Sequence, residues 1–361
     1  MTWIAIADRE NARFEARGLS GARAGADDPG QELRRGSLLL ETRLSPDDRP
    51  QLLLGLERGF EHGLSFMLKA LPGGGVTLVH SRGEAMLHAT LRHDAEAQRT
   101  DVLRITYSWD RDHDWARLVI ERPDMARSFQ TILRGPVRMT LEDIREMVLN
   151  PAAGWMSEDV CFLAASDRIE PIGPMPGLTE ETPVLTSLGI RAVGALQRGD
   201  LVETLEGSLQ PVLHVVKRTV PARGLFRPVR LRHPYFGLKA DIVVAPYQRI
   251  VVGGSRVEYL FGAEQVLVPA SHLVKGSAAV RERDQTLVTY CQVVLPDHQA
   301  VQTAGTYVET MDVGRIRRKP DILKSSLFGH LPRNTLPEHR GAAYPVLGDY
   351  EAIVLSEQRA A

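Results

Sequence analysis

The stretch GLTEETPVLTSLGIRAVGALQRGDLVET runs from Gly177 to Thr204. Its apolar runs are separated by two turn signals, Gly189 and the pair Gly199-Asp200. Glycine and aspartate favour tight turns, so the stretch predicts short strands joined by turns. It begins at the end of PIGPMPG (171–177), where three prolines and two glycines in seven residues predict a domain boundary.

Upstream of this boundary, residues 37–133 alternate apolar and mixed positions with a period of two. Seven or so short runs of this kind, with turn signals such as LPGGG at 71–75, predict an antiparallel β-sandwich. The pattern changes at TLEDIREMVLN (140–150), where apolar residues recur at helical spacing. Thr140 followed three residues later by Asp143 approximates a capping box, so this segment predicts a short helix.

The chain is therefore predicted to be mainly β, with few short helices. A β-sandwich is expected over residues 1–165, with its connecting helix near 140–150, followed by a Pro/Gly-rich linker at 166–176. A second all-β domain with a C-terminal extension is expected over 177–355. The last stretch, YPVLGDYEAIVL at 344–355, is predicted to be one more extended segment.

The composition excludes several classes of protein. The 361 residues include 44 basic and 45 acidic side chains, a formal net charge of -1, which argues against a nucleic-acid binder. The N-terminal residues MTWIAIADRENARFEA carry no basic region before a long apolar stretch, so no signal peptide is visible and no membrane span is expected. We expect a cytoplasmic protein, or one exported by a route that needs no signal peptide.

The chain has two cysteines, Cys161 and Cys291, and they lack CxxC spacing. The histidines form no HExxH or HxxxH cluster. These patterns predict neither a disulfide scaffold nor a zinc site, and no metal or cofactor is expected.

Four segments carry a resemblance to a known family, and they occur in the family's order. They are the opening stretch at 177–204, IVVAPYQRIVV at 242–252, VEYLFGAEQVLVPASHLV at 257–274 and VTYCQVVLPDHQAV at 288–301. Together they resemble the Hint module, the fold shared by hedgehog autoprocessing domains and inteins, and most closely its bacterial group. The resemblance covers about half of the chain and implies a Hint fold for the second domain.

The resemblance also implies which residues should react. An active Hint module begins with Cys, Ser or Thr, which attacks the preceding carbonyl, while the His of a Ser/Thr-x-x-His motif protonates the leaving nitrogen. The corresponding positions here hold Gly177 for the nucleophile, Ala245 for the Ser/Thr and Gln248 for the His, and His298 matches the family's late histidine. Because a glutamine amide is no general acid near neutral pH, the resemblance implies a degenerate active site.

Other residues with reactive groups are weaker candidates for the nucleophile. Thr179 carries a hydroxyl two residues past Gly177, whereas Cys161 lies in an apolar run and Cys291 in a predicted strand, both typical of buried positions. His298 is read either as the family's late histidine or as a structural one. If a pocket has survived, the resemblance implies that Thr179, Gln248 and His298 line it.

The first domain resembles laminin-G and concanavalin-like sandwiches, many of which bind sugars. Its segment YSWDRDHDW (107–115) places Asp110, Asp112 and Asp114 at alternate positions, which suggests a ligand or cation site. The alternative is a polar hairpin turn, and it is favoured because the Gly and bidentate Glu of a calcium loop are absent.

We therefore predict a non-catalytic Hint-domain protein with a binding or assembly role, whose partner is a protein or a glycan. Two alternatives stay open: self-cleavage near residues 171–179 and a carbohydrate-binding module. The sequence leaves the oligomeric state open.

Overall fold

The computed structural model describes residues 3–21, 28, 30–44, 49–59, 63–93, 102–123, 127–150 and 153–360, without the side chains of 349 and 356–360. The chain divides into two compact units, Met1–Gly173 (unit 1) and Pro174–Ala361 (unit 2). The predicted linker at 166–176 spans the point of division. Each unit has a hydrophobic core of its own.

The described part of unit 1 consists of strands and one α-helix. Its described elements are β1 (Trp3–Ala7), β2 (Ala12–Phe14), β3 (Arg35–Arg43), β4 (Gln51–Arg58), β5 (Leu64–Leu71), β6 (Gly75–Arg82), β7 (Ala85–Arg92), β8 (Val102–Asp110), β9 (Trp115–Arg122), β10 (Arg127–Leu133), α1 (Leu141–Leu149), β11 (Gly154–Met156) and β12 (Val160–Ser166).

These strands form two antiparallel sheets, one in the order β10-β9-β8-β3-β12-β1-β2 and the other β11-β4-β5-β6-β7. Side chains of the two sheets share one core, in which the rings of Phe66 and Tyr107 lie 6.0 Å apart between centroids. The alternation in β5 explains the packing, because its buried residues Leu64, Phe66 and Leu68 all point to the same face. The predicted β-sandwich is confirmed.

Helix α1 also follows the sequence prediction. Thr140 and Asp143 form a capping box, in which each side chain accepts from the other residue's backbone N–H. Its apolar residues Ile144 and Met147 are buried. The Asp143 carboxylate is also buried and contacts two arginines of the five-stranded sheet, Arg58 at 3.3 Å and Arg82 at 2.5 Å. These contacts attach the helix to the sandwich.

Unit 2 contains shorter strands. Its described strands are β13 (Leu178–Thr179), β14 (Pro183–Thr186), β15 (Gly189–Ala192), β16 (Leu201–Glu203), β17 (Leu209–Pro211), β18 (His214–Pro221), β19 (Val229–Leu231), β20 (Ile242–Val244), β21 (Arg249–Gly253), β22 (Gln265–Pro269), β23 (Ala279–Arg281), β24 (Leu287–Val294), β25 (Ala300–Thr303) and β26 (Thr306–Glu309), and its helices are α2 (Ser255–Phe261), α3 (Pro320–Ser325) and α4 (Asp349–Ala360).

Three antiparallel sheets make up unit 2: β18-β24-β13-β20-β19-β23, β15-β14-β16-β17 and β22-β21-β26-β25. The fold is mainly β with few short helices, as predicted. The two-residue strand β13 lies between β24 and β20, where Leu178 pairs with both Cys291 and Val244. This insertion places Gly177, the residue before β13, among residues that are distant in sequence.

The prediction of an extended segment over 344–355 is wrong for most of its length. Val346 forms a parallel bridge with Leu267, but the chain then turns into α4. Ala352 and Leu355, three residues apart, are buried, whereas Tyr350 and Ile353 are exposed. This is helical periodicity, and the short apolar run hid it in the sequence.

Within the described part of the chain, none of the helices has the length and apolar character needed to cross a membrane.

Candidate functional site

Three positions predicted from the sequence meet at the start of unit 2. The Ala245 N–H donates to the Gly177 carbonyl oxygen at 2.7 Å. A Cβ added to Gly177 would lie 2.3 Å from Gln248 Oε1 and 3.0 Å from Gln248 Cβ. All three residues are buried. The side chain of Gln248 therefore occupies the space into which any side chain at position 177 would extend.

A turn between β20 and β21 sets this arrangement. The Gln248 N–H donates to the Ala245 carbonyl at 3.0 Å, and Pro246 lies inside the turn, where its fixed φ is tolerated. The Gln248 and Pro246 carbonyls accept from the N–H groups of Ala270 and Ser271 at 2.9 and 2.8 Å. These bonds attach the turn to the segment at 270–271, and the Gln248 side chain lies beside Gly177.

The Gln248 amide belongs to a buried hydrogen-bond network. Its Nε2 donates to the carbonyl oxygens of Arg249 at 3.0 Å and Glu309 at 2.9 Å. Its Oε1 accepts from Gln292 Nε2 at 2.8 Å, and that nitrogen also donates to the Glu309 carbonyl at 3.0 Å. Gln292 was not predicted, since its only sequence signal is an amide side chain in a mainly apolar strand. A network of neutral amides and carbonyls offers no group that titrates near neutral pH.

His298 reaches this network through Glu309. Its Nε2 faces Glu309 Oε1 at 3.2 Å, and its Nδ1 lies 3.0 Å from the Gly341 carbonyl oxygen. Its ring stacks on His339 with centroids 5.4 Å apart. Burial opposes the charge of the imidazole, but the Glu309 carboxylate and the Gly341 carbonyl raise the pKa of His298 above its ordinary value.

Residues 176–315 match the family model described as the Hint domain. The second unit contains a Hint domain. The match ends before α3 and α4, which lie in the part of the chain where the C-terminal extension is predicted.

Solved structures also resemble parts of the chain. The MchDnaB-1 intein is 17% identical, with 37% of this chain and 98% of that chain covered and a TM-score of 0.26. The CBM40 of the Ruminococcus gnavus IT-sialidase, bound to alpha2,6 sialyllactose, is 12% identical, with 37% and 76% covered and a TM-score of 0.27. The LG1-3 region of the laminin alpha2 chain is 9% identical, with 87% and 57% covered and a TM-score of 0.27. No curated protein matches the sequence.

The residues predicted to line a residual Hint pocket bond to different partners. The Thr179 hydroxyl donates to the Val243 carbonyl at 2.9 Å and lies 3.1 Å from the Thr182 hydroxyl. Gln248 contacts the backbone of Glu309, whereas His298 contacts its carboxylate. Gln248 and His298 are thus linked through one intermediate residue, and the hydroxyl of Thr179 belongs to a separate group of hydrogen bonds.

The thiol groups of the chain are poorly suited to nucleophilic attack. Burial raises the pKa of Cys291 in the Hint core to about 12, and burial with the nearby Glu41 carboxylate raises the pKa of Cys161. A high pKa leaves little thiolate, which is the reactive form. Both cysteines are free.

The three aspartates of the segment 107–115 lie at the hairpin between β8 and β9, and Asp110 is the last residue of β8. Asp110 accepts from the N–H of Asp112 at 3.0 Å and faces His113 Nδ1 at 2.8 Å. Asp112 pairs with Arg34 at 2.5 Å, and Asp114 accepts from the Gly135 N–H at 3.0 Å. No cluster of three or more potential metal-ligating His, Cys, Asp or Glu residues is found in the described ranges. The contacts fit the polar hairpin turn, and the ligand site stays a prediction.

The raised pKa of His298 leads to a prediction for the stability of unit 2. Because its folded-state pKa is raised, its stabilising contribution is complete below the unfolded value of about 6.5 and is lost as pH rises through the folded value. The stability difference between wild type and His298→Gln should therefore be largest in acid and shrink at alkaline pH. Urea unfolding followed by far-UV circular dichroism measures this difference. The measurements run from about pH 5 to about pH 9, a range that brackets the ordinary pKa of histidine.

The exposed His330 of the same unit provides the control. His330→Gln should leave the pH profile unchanged. A constant difference between wild type and His298→Gln across the pH range would contradict the prediction.

Proposed function

We propose that this protein is a Hint-derived protein that no longer cleaves itself and that acts by binding or assembly. The observation that carries the proposal is the Gln248 side chain beside Gly177. At the position of the nucleophile there is neither a reactive group nor room for one, because the Gln248 amide oxygen lies 2.3 Å from where a Cβ would be.

The chemistry of self-cleavage supports the same conclusion. Acyl transfer to a side chain needs a nucleophile on the residue that follows the scissile carbonyl and an acid for the leaving nitrogen. Gly177 and Ala245 carry no reactive group, and the amide of Gln248 neither gives up nor takes up a proton near neutral pH. The replaced residues are also hydrogen-bonded to one another and to Gln292. The site therefore has the contacts of a packed core.

Intact-mass measurement tests the loss of cleavage. The full chain of 40.0 kDa is incubated with excess thiol or hydroxylamine, which would capture a thioester or an ester. We expect a single unchanged mass. A fragment pair that divides the chain within residues 171–179 would contradict the proposal and favour self-cleavage.

The binding role is tested on the same full-length chain. A glycan array with and without calcium tests for a glycan partner, and light scattering over a range of concentrations tests for self-association. A glycan signal that is lost in Asp110→Ala would favour the carbohydrate-binding alternative. If neither assay gives a signal, a glycan and a second copy of this chain are both excluded as the partner. The proposed partner is then a different protein.

A further inference from the structure

The peptide bond between Pro176 and Gly177 is held in place by two hydrogen bonds, one to the Pro176 carbonyl and one to the Gly177 carbonyl. The Tyr247 hydroxyl donates to the Pro176 carbonyl oxygen at 2.9 Å. The Ala245 N–H donates to the Gly177 carbonyl oxygen at 2.7 Å. Both donors come from the turn that also carries Gln248. The Pro176 carbonyl is the one that a nucleophile at position 177 would attack.

The Tyr247 hydroxyl is held in place by its surroundings. Its ring packs edge-on against Tyr290, with centroids 6.5 Å apart. Tyr290 is fully buried, and its own hydroxyl donates to the Phe226 carbonyl at 2.8 Å, which fixes the ring that supports Tyr247. A donor supported in this way does not have to reorganise when charge develops on its acceptor.

The chain before Pro176 is also anchored. Arg218 Nη1 lies 2.6 Å from the Met175 sulfur, and the guanidinium lies over the Phe226 ring at 6.0 Å. Arg218 is buried, and so is Pro176. The carbonyl therefore accepts its hydrogen bond in a partly buried site, where such a bond stabilises charge more than it does in solvent.

We propose that Tyr247 is a carbonyl-polarising residue of this Hint domain, positioned to stabilise the oxyanion that forms when the Pro176 carbonyl is attacked. The electrophilic half of the site is thus intact, although the nucleophile and the acid have been replaced. This inference rests on the proposed function, because it explains what the site retains after the loss of cleavage.

The test uses a background in which the reactive groups are supplied, with Gly177→Cys, Ala245→Thr and Gln248→His combined. There the new thiol gives its proton to the new imidazole as the sulfur adds to the Pro176 carbonyl carbon. The carbon–nitrogen bond then breaks, and the nitrogen leaves as an amine with the proton returned by the imidazolium. Hydroxylamine then attacks the thioester, giving a hydroxamate on residues 1–176 and a free thiol on 177–361. We expect cleavage in this background, followed by intact mass.

Adding Tyr247→Phe to this background should slow cleavage about a hundredfold, the size of effect found when one oxyanion donor is removed. The matched control is Tyr235→Phe, which removes the hydroxyl of an exposed tyrosine of the same unit, 3.1 Å from the Ser277 hydroxyl, and should change the rate less than about threefold, well below that size of effect. An unchanged rate with Tyr247→Phe, or an equal loss in both variants, would overturn the proposal. A folded background that stays intact would also overturn it, since the electrophile would then not be competent.

A second measurement needs no substitution at position 177. The carbonyl carbon-13 resonance of Pro176 is compared between the otherwise unmodified chain and Tyr247→Phe. Loss of the hydrogen bond should shift the resonance upfield, and an unchanged resonance would overturn the proposal. Cleavage of the unmodified chain, by contrast, would contradict the proposed function and leave the role of Tyr247 standing.

Discussion

Replacing Asp143 by alanine should lower the free energy of unfolding of unit 1 by about 3–5 kcal/mol, the usual cost of breaking a buried ion pair. The Asp143 side chain is fully buried. It accepts from Arg82 at 2.5 Å, contacts Arg58 at 3.3 Å and accepts from the Thr140 N–H at 2.7 Å. Its removal leaves the Arg82 guanidinium, which is 20% exposed, without this partner and removes half of the capping box.

Tryptophan fluorescence isolates the unit in which this loss occurs. The four tryptophans of the chain, Trp3, Trp109, Trp115 and Trp155, all lie in unit 1. Urea unfolding followed by their emission therefore reports on the sandwich and not on the Hint domain.

The neighbouring acid Glu142 provides the matched control. It lies in the same first turn of α1, but its side chain is 26% exposed. Its contact with Arg58 is 3.8 Å, longer than the contacts of Asp143 with Arg58 and Arg82. Glu142→Ala should cost less than about 1 kcal/mol, as partly exposed pairs do. Similar losses for Glu142→Ala and Asp143→Ala would show that the buried cluster does not carry the stability assigned to it.

Replacing Gly177 by alanine should destabilise unit 2 by about 1–3 kcal/mol, because the added methyl group overpacks the site. The Gln248 amide oxygen, 2.3 Å from the new Cβ, would have to move. That oxygen accepts from Gln292, so the movement breaks a buried hydrogen bond. The cost is thus shared between the clash and the network.

A double-mutant cycle with Gln248→Ala separates these contributions. Gln248→Ala alone should also be destabilising, since it removes a donor to the Glu309 carbonyl. In the double variant the clash with the amide oxygen is absent, so the total loss should be smaller than the sum of the two by about 0.5–3 kcal/mol. Additive losses would show that Gln248 does not fill the space at Gly177.

Cys291 provides the readout for the cycle. Its thiol is buried in the core of unit 2, and its labelling requires that unit to open. With Cys161→Ser as a common background, the labelling rate measures the opening of the Hint domain alone. Gly55→Ala in unit 1, where the nearest atom to a new Cβ is 3.8 Å away, should leave this rate unchanged.

The sequence predicted much of the sandwich because its signals are local. Alternation along β5 reports which face of the strand is buried, and the Thr140–Asp143 spacing identifies the start of α1. The order of the Hint segments likewise predicted which positions correspond to the nucleophile, the hydroxyl and the acid. The helical extension at α4 was missed, because a short apolar run fits a strand and a buried helix equally well.

Other features of the site depend on contacts between distant residues. Gln292 and Glu309 lie 44 and 61 residues after Gln248, and only the pairing of strands brings them to its amide. The sequence likewise does not show that the Thr179 hydroxyl bonds to Val243, since the direction of a side chain depends on register.

The sequence by itself determined that Gly177 cannot act as a nucleophile, since glycine has no side chain. Only the tertiary structure decided that Gln248 fills the space beside it and that the Tyr247 hydroxyl bonds to the Pro176 carbonyl. The reason is physical: the identity of a residue sets its chemistry, but whether a site is empty, filled or polarised depends on which side chains the fold packs against it.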